Sequence, residues 1–197
     1  MSTLSIPVPI DHHQAVGLLQ PFFGQRAREI YESHGRSLAQ LVTQAHQSTQ
    51  LRMRLLVRAH TIALAAAAEQ VTPQEESSTS DALKRFLELR LAGRQGESFI
   101  AVFLDAGHHL VAVEDIVGET LGRTDVNPRE VAKAALRHKA ASVISSHSYP
   151  ISGGPSVADK FLAHAVRHAL RRVDVRLLDH ILIAGGAQVS FARLGLI

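Results

Sequence analysis

The sequence predicts an α/β (α+β) chain: a mixed β-sheet flanked by helices, preceded by a small all-helical N-terminal region. Three observations predict it. Apolar residues recur at helical spacing through roughly the first seventy positions, a polar stretch interrupts them, and short apolar runs then alternate with amphipathic segments in the order β-β-α-β-α-β-β. With 197 residues, 46% of them hydrophobic, the chain can bury one core of ordinary domain size and a modest helical appendage beside it.

Residues 1–70 form the first region. Leu38, Leu41, Val42 and Ala45, then Leu51, Leu55, Leu56 and Ile62, fall on helical faces and predict three or four helices between about Asp11 and Gln70. Residues 71–80, VTPQEESSTS, are polar, contain Pro73 and lack periodicity, so a linker is expected there. The second region, 81–197, opens with a short helix over Asp81 to Leu91. Phe99 to Leu104 and His109 to Val117 are apolar runs separated by Ala106-Gly107, the pattern of a β-hairpin. Pro128, well tolerated in a first helical turn, starts a helix whose stripe is Val131, Ala134, Ala135 and Leu136. Ala141 to Ser145 reads as a short buried strand. A loop rich in Gly and Pro leads to a helix from Ser156 to about Arg172, with Ser156 placed to cap the free N–H groups. Strands at Val175 to Ala184 and Val189 to Arg193, turning at Gly185-Gly186, complete the sheet; the hairpin neighbours in it are antiparallel.

Composition removes several function classes. There is no cysteine, hence no disulfide framework, thiolate zinc site or cysteine nucleophile, and a reducing, cytoplasmic setting is expected. MSTLSIPVPIDHH lacks the basic and then apolar plan of a secretory leader, and no apolar run reaches the roughly 20 residues that cross a bilayer, so a soluble protein without a membrane partner is expected. The 21 Lys and Arg are interspersed with 18 Asp and Glu, a weak footprint for nucleic acid. Arg167, Arg171, Arg172 and Arg176 are close in sequence, but the first three have the spacing of a solvated helix face. The Gly153-Gly154 and Gly185-Gly186 pairs do not open a phosphate-binding fingerprint and read as turns.

The passage richest in chemistry is SSHSYPISGGPSVAD. His147 leaves the end of a buried strand, a loop follows, and Asp159 lies on the first turn of the next helix, so the two side chains can converge. A catalytic divalent metal needs about three protein ligands and an open position for water, which then loses a proton near neutral pH. Asp179-His180 also looks like a catalytic pair, yet adjacent strand residues point to opposite faces and the pair reads as structural.

His147, Ser148, Tyr149, Pro150, Ser152 and Gly153, followed by Pro155, Ser156 and Asp159, resemble the motif of the JAB/MPN metallohydrolases: H-x-H, a spacer, then S-x-x-D. The resemblance is greatest to the RadC family, with its H-N-H-P-S-G run and P-S-x-x-D. GESFIAVFLD from Gly96, Gly118 with Thr120, NPREVAKAAL from Asn127 and LLDHILIAGG from Leu177 are similar to the RadC pattern in the same order, so the likeness extends roughly from Gly93 to Leu196. It implies a JAB/MPN-like fold and a zinc-dependent peptidase or isopeptidase acting on a peptide or isopeptide substrate. In that reading His147 and Asp159 are metal ligands, Ser156 an oxyanion donor and Glu97 the general base for the metal-bound water.

The sequence departs from the motif at Tyr149, which stands where the family has its second histidine, and in a loop one residue shorter. A phenol with a reference pKa of about 10 is mostly protonated and a weak ligand. The ligand set therefore reads His147, Asp159 and Tyr149, with weakened zinc binding and activity reduced or lost. His164, His168 and His180 are conceivable replacement ligands, and spacing selects none of them.

RadC-like chains usually carry a helix-hairpin-helix module ahead of this domain, and LLQPFFGQRAREIYESHGRSLAQLVTQAHQ resembles a remnant of it. Where the family has glycine, an apolar residue and glycine, this chain has Gln44-Ala45-His46-Gln47, which weakens the expected DNA contact. Two functions stay open: a zinc hydrolase with an altered site, and a non-catalytic scaffold, or pseudoenzyme, associated with a protein or DNA partner.

Overall fold

The computed structural model describes residues 11–69, 81–91, 96–116, 126–149, 153–184 and 187–197. The expected linker 71–80, the pair Gly118 and Thr120, Pro150 with Ser152, and the Gly185-Gly186 turn lie outside the described residues. The chain divides into two compact units, one of residues 1–63 with 92–94 and one of residues 64–91 with 95–197.

The first unit is helical: α1 (His12–Phe23), a 3₁₀ turn (Gly24–Arg26), α2 (Ala27–Ser33), α3 (Leu38–Ala45) and the start of α4 (Leu51–Glu69). Asp11 starts α1 through a capping box with Gln14, which satisfies donors that the first turn leaves free. Ala15, Val16, Leu19 and Phe23 of α1 pack on Tyr31, Leu41, Met53 and Leu56. Between α2 and α3 the chain reverses through Gly35 and Arg36, both at positive φ. By contrast His46, at the end of α3, has right-handed helical backbone (φ −60°, ψ −28°). The Gln44-Gln47 segment therefore makes its turn without the left-handed geometry that demands glycine.

The second unit holds α5 (Asp81–Leu91), β1 (Ser98–Leu104), β2 (Leu110–Asp115), α6 (Pro128–Arg137), β3 (Ser142–Tyr149), α7 (Val157–Arg171), β4 (Arg176–Ala184) and β5 (Ala187–Ser190). Its five strands form one mixed sheet in the order β2-β1-β3-β4-β5. β1 is antiparallel to β2 and to β3, β3 is parallel to β4 with α7 as the crossover, and β5 returns antiparallel to β4.

The continuous apolar run of β1 has a direct cause: both faces of this strand are covered. Phe99, Ala101 and Phe103 meet Val131, Ala134 and Ala135 of α6 and Val166 and Leu170 of α7. Ile100, Val102 and Leu104 meet Leu83, Phe86 and Leu87 of α5, with Leu64, Ala67 and Ala68 from the last turns of α4 against the same core. The β1–β2 turn is fixed by Asp105, whose Oδ1 accepts from Gly107 N at 2.8 Å and His109 N at 2.9 Å. Asn127 caps α6 by accepting from Arg129 N at 3.0 Å, with Pro128 in the first turn. Asn127→Ala is expected to lower unfolding stability by about 1 kcal/mol, read from a shifted denaturant midpoint at unchanged slope. Among the described residues no helix is long and apolar enough to cross a membrane.

Candidate functional site

β3 carries the first half of the site. It pairs with β1 from Ser98↔Ser148 to Leu104↔Ser142 and with β4 as far as Tyr149↔Ala184, so the strand runs on to Tyr149 and does not stop at Ser145 as the sequence predicts. Pairing on both sides satisfies the backbone of SSHSY although its side chains are polar, so neighbours and not hydrophobicity set the strand's end. His147 thus lies inside the strand. Side chains alternate along β3, which puts Val143, Ser145, His147 and Tyr149 on the face covered by α7.

The other half comes from the start of α7. Ser156 caps the helix: its Oγ accepts from Asp159 N at 3.1 Å, while Asp159 Oδ2 accepts from Ser156 N at 2.8 Å and Ser156 Oγ at 2.7 Å. The remaining oxygen, Oδ1, accepts a hydrogen bond from the Tyr149 hydroxyl. His147 Nδ1 lies 3.4 Å from that same oxygen without hydrogen-bond geometry. The imidazole and phenol rings of His147 and Tyr149 are 4.4 Å apart. Glu97, just ahead of β1, places Oε2 4.0 Å from His147 Nε2. His147, Tyr149, Ser156 and Asp159 are brought together, with Glu97 at the mouth. His147 and Asp159 are only 5% and 1% exposed, whereas the Glu97 side chain is 49% exposed.

Electrostatics follow from this burial. Burial pushes the Tyr149 phenol well above its ordinary value, and the Asp159 carboxylate that accepts its proton, with Glu97, pushes it further up. Burial also raises Asp159, but the hydrogen bonds from Ser156 and Tyr149 and the nearby His147 together outweigh it and hold the carboxyl below its ordinary value. His147 is lowered by burial, against the opposing pull of Asp159 and Glu97. At neutral pH the group is a neutral phenol, a carboxylate and a neutral imidazole.

This donor set decides how well a zinc ion fits. His147 suits a ligand: it is buried and neither ring nitrogen has a hydrogen-bond partner. Asp159, however, has both oxygens engaged within the chain, and Tyr149 keeps its proton. The residues present do not fit the three-ligand zinc implied by the sequence. Among the described residues no group of three or more His, Cys, Asp or Glu side chains is placed to hold a metal ion.

None of the replacement histidines joins the group. Asp159 is buried on α7 while His164 and His168 are exposed, about 140° and 180° around the helix from it at roughly 100° per residue. His180 is fully buried beneath the site, its Nδ1 2.8 Å from Ser145 Oγ and its ring between Phe99 and Phe191. Asp179 turns elsewhere, accepting from Ser190 Oγ at 2.6 Å and Ala192 N at 3.0 Å. The Ser145–His180 pair was missed in the sequence. Its one signal was a serine within a buried strand, in a position that pairing across the sheet sets opposite a histidine.

Burial, with His147 nearby, lowers His180 to about 4. The unfolded chain therefore takes up a proton near pH 6.5 that the folded chain refuses. Stability is full above about pH 6.5 and falls as pH drops toward about 4; His147 contributes with the same sign. Denaturant midpoints measured across this interval check the slope, which His180→Gln is expected to flatten.

Comparison with known proteins agrees with this architecture. A family model described as RadC-like JAB domain matches residues 77–196, more than half of the chain. The chain is 44% identical over 138 residues to a UPF0758 protein of Acidovorax sp. (strain JS42), covering 69% of this chain and 58% of that protein. It is 46% identical over 120 residues to a UPF0758 protein of Herminiimonas arsenicoxydans, covering 60% of this chain and 53% of that protein. A UPF0758 protein of Nitrosospira multiformis is 44% identical over 131 residues, covering 63% and 58% respectively. The chain thus spans less than two thirds of the length of these relatives.

Proposed function

We propose, from the premise that this chain belongs to the RadC-like JAB domain family, that it is a metallohydrolase-type scaffold whose zinc site is altered at Tyr149 and whose peptidase or isopeptidase activity is weak or lost. One observation carries the reading: the Tyr149 hydroxyl donates to the Asp159 oxygen that a metal would need, and does so as a protonated phenol. An internal donor thereby satisfies the carboxylate oxygen that a cation would take. Such a group needs no metal to be stable, because the carboxylate is satisfied from three sides.

The test is zinc per chain by elemental analysis of protein purified without a metal-affinity tag, with hydrolysis of an isopeptide-linked probe measured in parallel. Little zinc in the parent, and no hydrolysis that His147→Ala removes, is the expected result. Near-stoichiometric zinc together with hydrolysis, both lost in His147→Ala, overturns the proposal.

A further inference from the structure

We propose that His164 and His168 on α7 form a second, separate site, a two-imidazole clamp for a divalent transition cation of the copper, nickel and zinc group. Both side chains are exposed. They lie four residues apart on one helix, so their Cβ atoms stand about 5–6 Å apart on the same face. Two imidazole nitrogens, each about 2.0–2.1 Å from one ion, bridge such a gap. The same i, i+4 spacing sets two histidines on a metal in helical metalloprotease motifs.

The backbone that presents the pair is organised without any ion. Ser156 and Asp159 close the capping box at the helix start, and Ala163, Val166 and Leu170 bury the opposite face. The cation meets a formed helix and has only two exposed side chains to orient. One contact must give way: an Arg172 guanidinium nitrogen lies 3.4 Å from His168 Nε2. Both groups are exposed, and such a contact contributes little in water.

Four other histidines are already engaged, while His46 and His60 of the first unit lie with ring centroids 6.5 Å apart, edge to face. His34 Nδ1 is 2.7 Å from Ile30 O, His109 Nδ1 is 3.2 Å from Asp105, His138 Nε2 is 2.5 Å from Glu114, and His180 Nδ1 is 2.8 Å from Ser145 Oγ. With two nitrogen ligands and water elsewhere, affinity follows the divalent series, copper(II) ahead of nickel and zinc. Zinc measured on the intact chain therefore includes any ion held by the α7 pair and does not report the buried group alone. The inference does not rest on the reading of the buried site.

Calorimetric titration of Cu²⁺ into the tag-free full chain tests it, with His164→Ala, His168→Ala and His147→Ala alongside. The parent is expected to bind one equivalent, each α7 substitution to weaken that binding by about tenfold or more, and His147→Ala to leave it unchanged. Alanine is the strongest helix former, so circular dichroism should show α7 retained in both variants. Copper binding that survives both α7 substitutions, or a parent that binds none up to roughly millimolar copper, overturns the site. Loss of the same equivalent in His147→Ala overturns it as well and redirects attention to β3.

Discussion

Tyr149→His is expected to raise the zinc content of this chain to near one ion, with affinity about a hundredfold or more above the parent. The substitution removes the phenol that occupies Asp159 Oδ1 and sets a second imidazole on β3, two residues from His147 and on the same face. Three donors then face one point, the number a catalytic zinc takes from its protein, with a fourth position left to water. Loss of even an outer-shell partner typically costs 10–100-fold in metal affinity, so gaining a direct ligand should exceed that range. Measurement should be made in a His164→Ala background, so that an ion on α7 does not enter the count. If zinc content does not rise there, some element other than Tyr149 closes the site, and the role given to the phenol is wrong.

Asp159→Ala is expected to destabilise the chain by about 1–3 kcal/mol. Asp159 is 1% exposed and accepts from the Tyr149 hydroxyl, Ser156 N and Ser156 Oγ. Truncation removes the acceptor of the half-buried Tyr149 hydroxyl and of two donors on Ser156, which is exposed and open to water, so the phenol carries most of a loss of about 1–3 kcal/mol. Equilibrium unfolding in urea reads the change. Asp159→Asn should fall between parent and Ala, because one amide oxygen still accepts while the NH₂ faces a backbone donor. A loss below about 1 kcal/mol in the Ala variant would show that water replaces the carboxylate, and that the group is not closed by its own hydrogen bonds.

The fold was legible where periodicity and burial coincide. β1 reads as an uninterrupted apolar run because both of its faces are covered, and Val131, Ala134 and Ala135 mark the buried side of α6, whereas Leu136, expected in the same stripe, is 56% exposed. Ser156 and Pro128 marked helix starts because those positions have specific backbone needs. The end of β3 was not legible: SSHSY is polar, and only its two strand neighbours extend the pairing to Tyr149. The same holds within the site. His147 and Asp159 could be picked out as side chains able to converge, Ser156 from the likeness to the family motif, and Tyr149 as a departure from that motif. That the phenol turns its proton toward Asp159 depends on β3 reaching far enough to face α7, a property of the sheet and not of the local sequence. His180 against Ser145 belongs to the same class, since the partners are thirty-five residues apart and meet only across paired strands.

The bond between Tyr149 and Asp159 also bears on descent. Tyrosine and histidine codons differ by a single base, so the family's ligand is one mutational step away from this chain. That step is not neutral. A chain taking that step in the absence of zinc gives up a donor to a buried carboxylate before any ion compensates, and marginally stable proteins tolerate few such losses. On the proposed reading, histidine at position 149 would therefore be gained without loss of stability only where an ion is available to replace the hydroxyl donor.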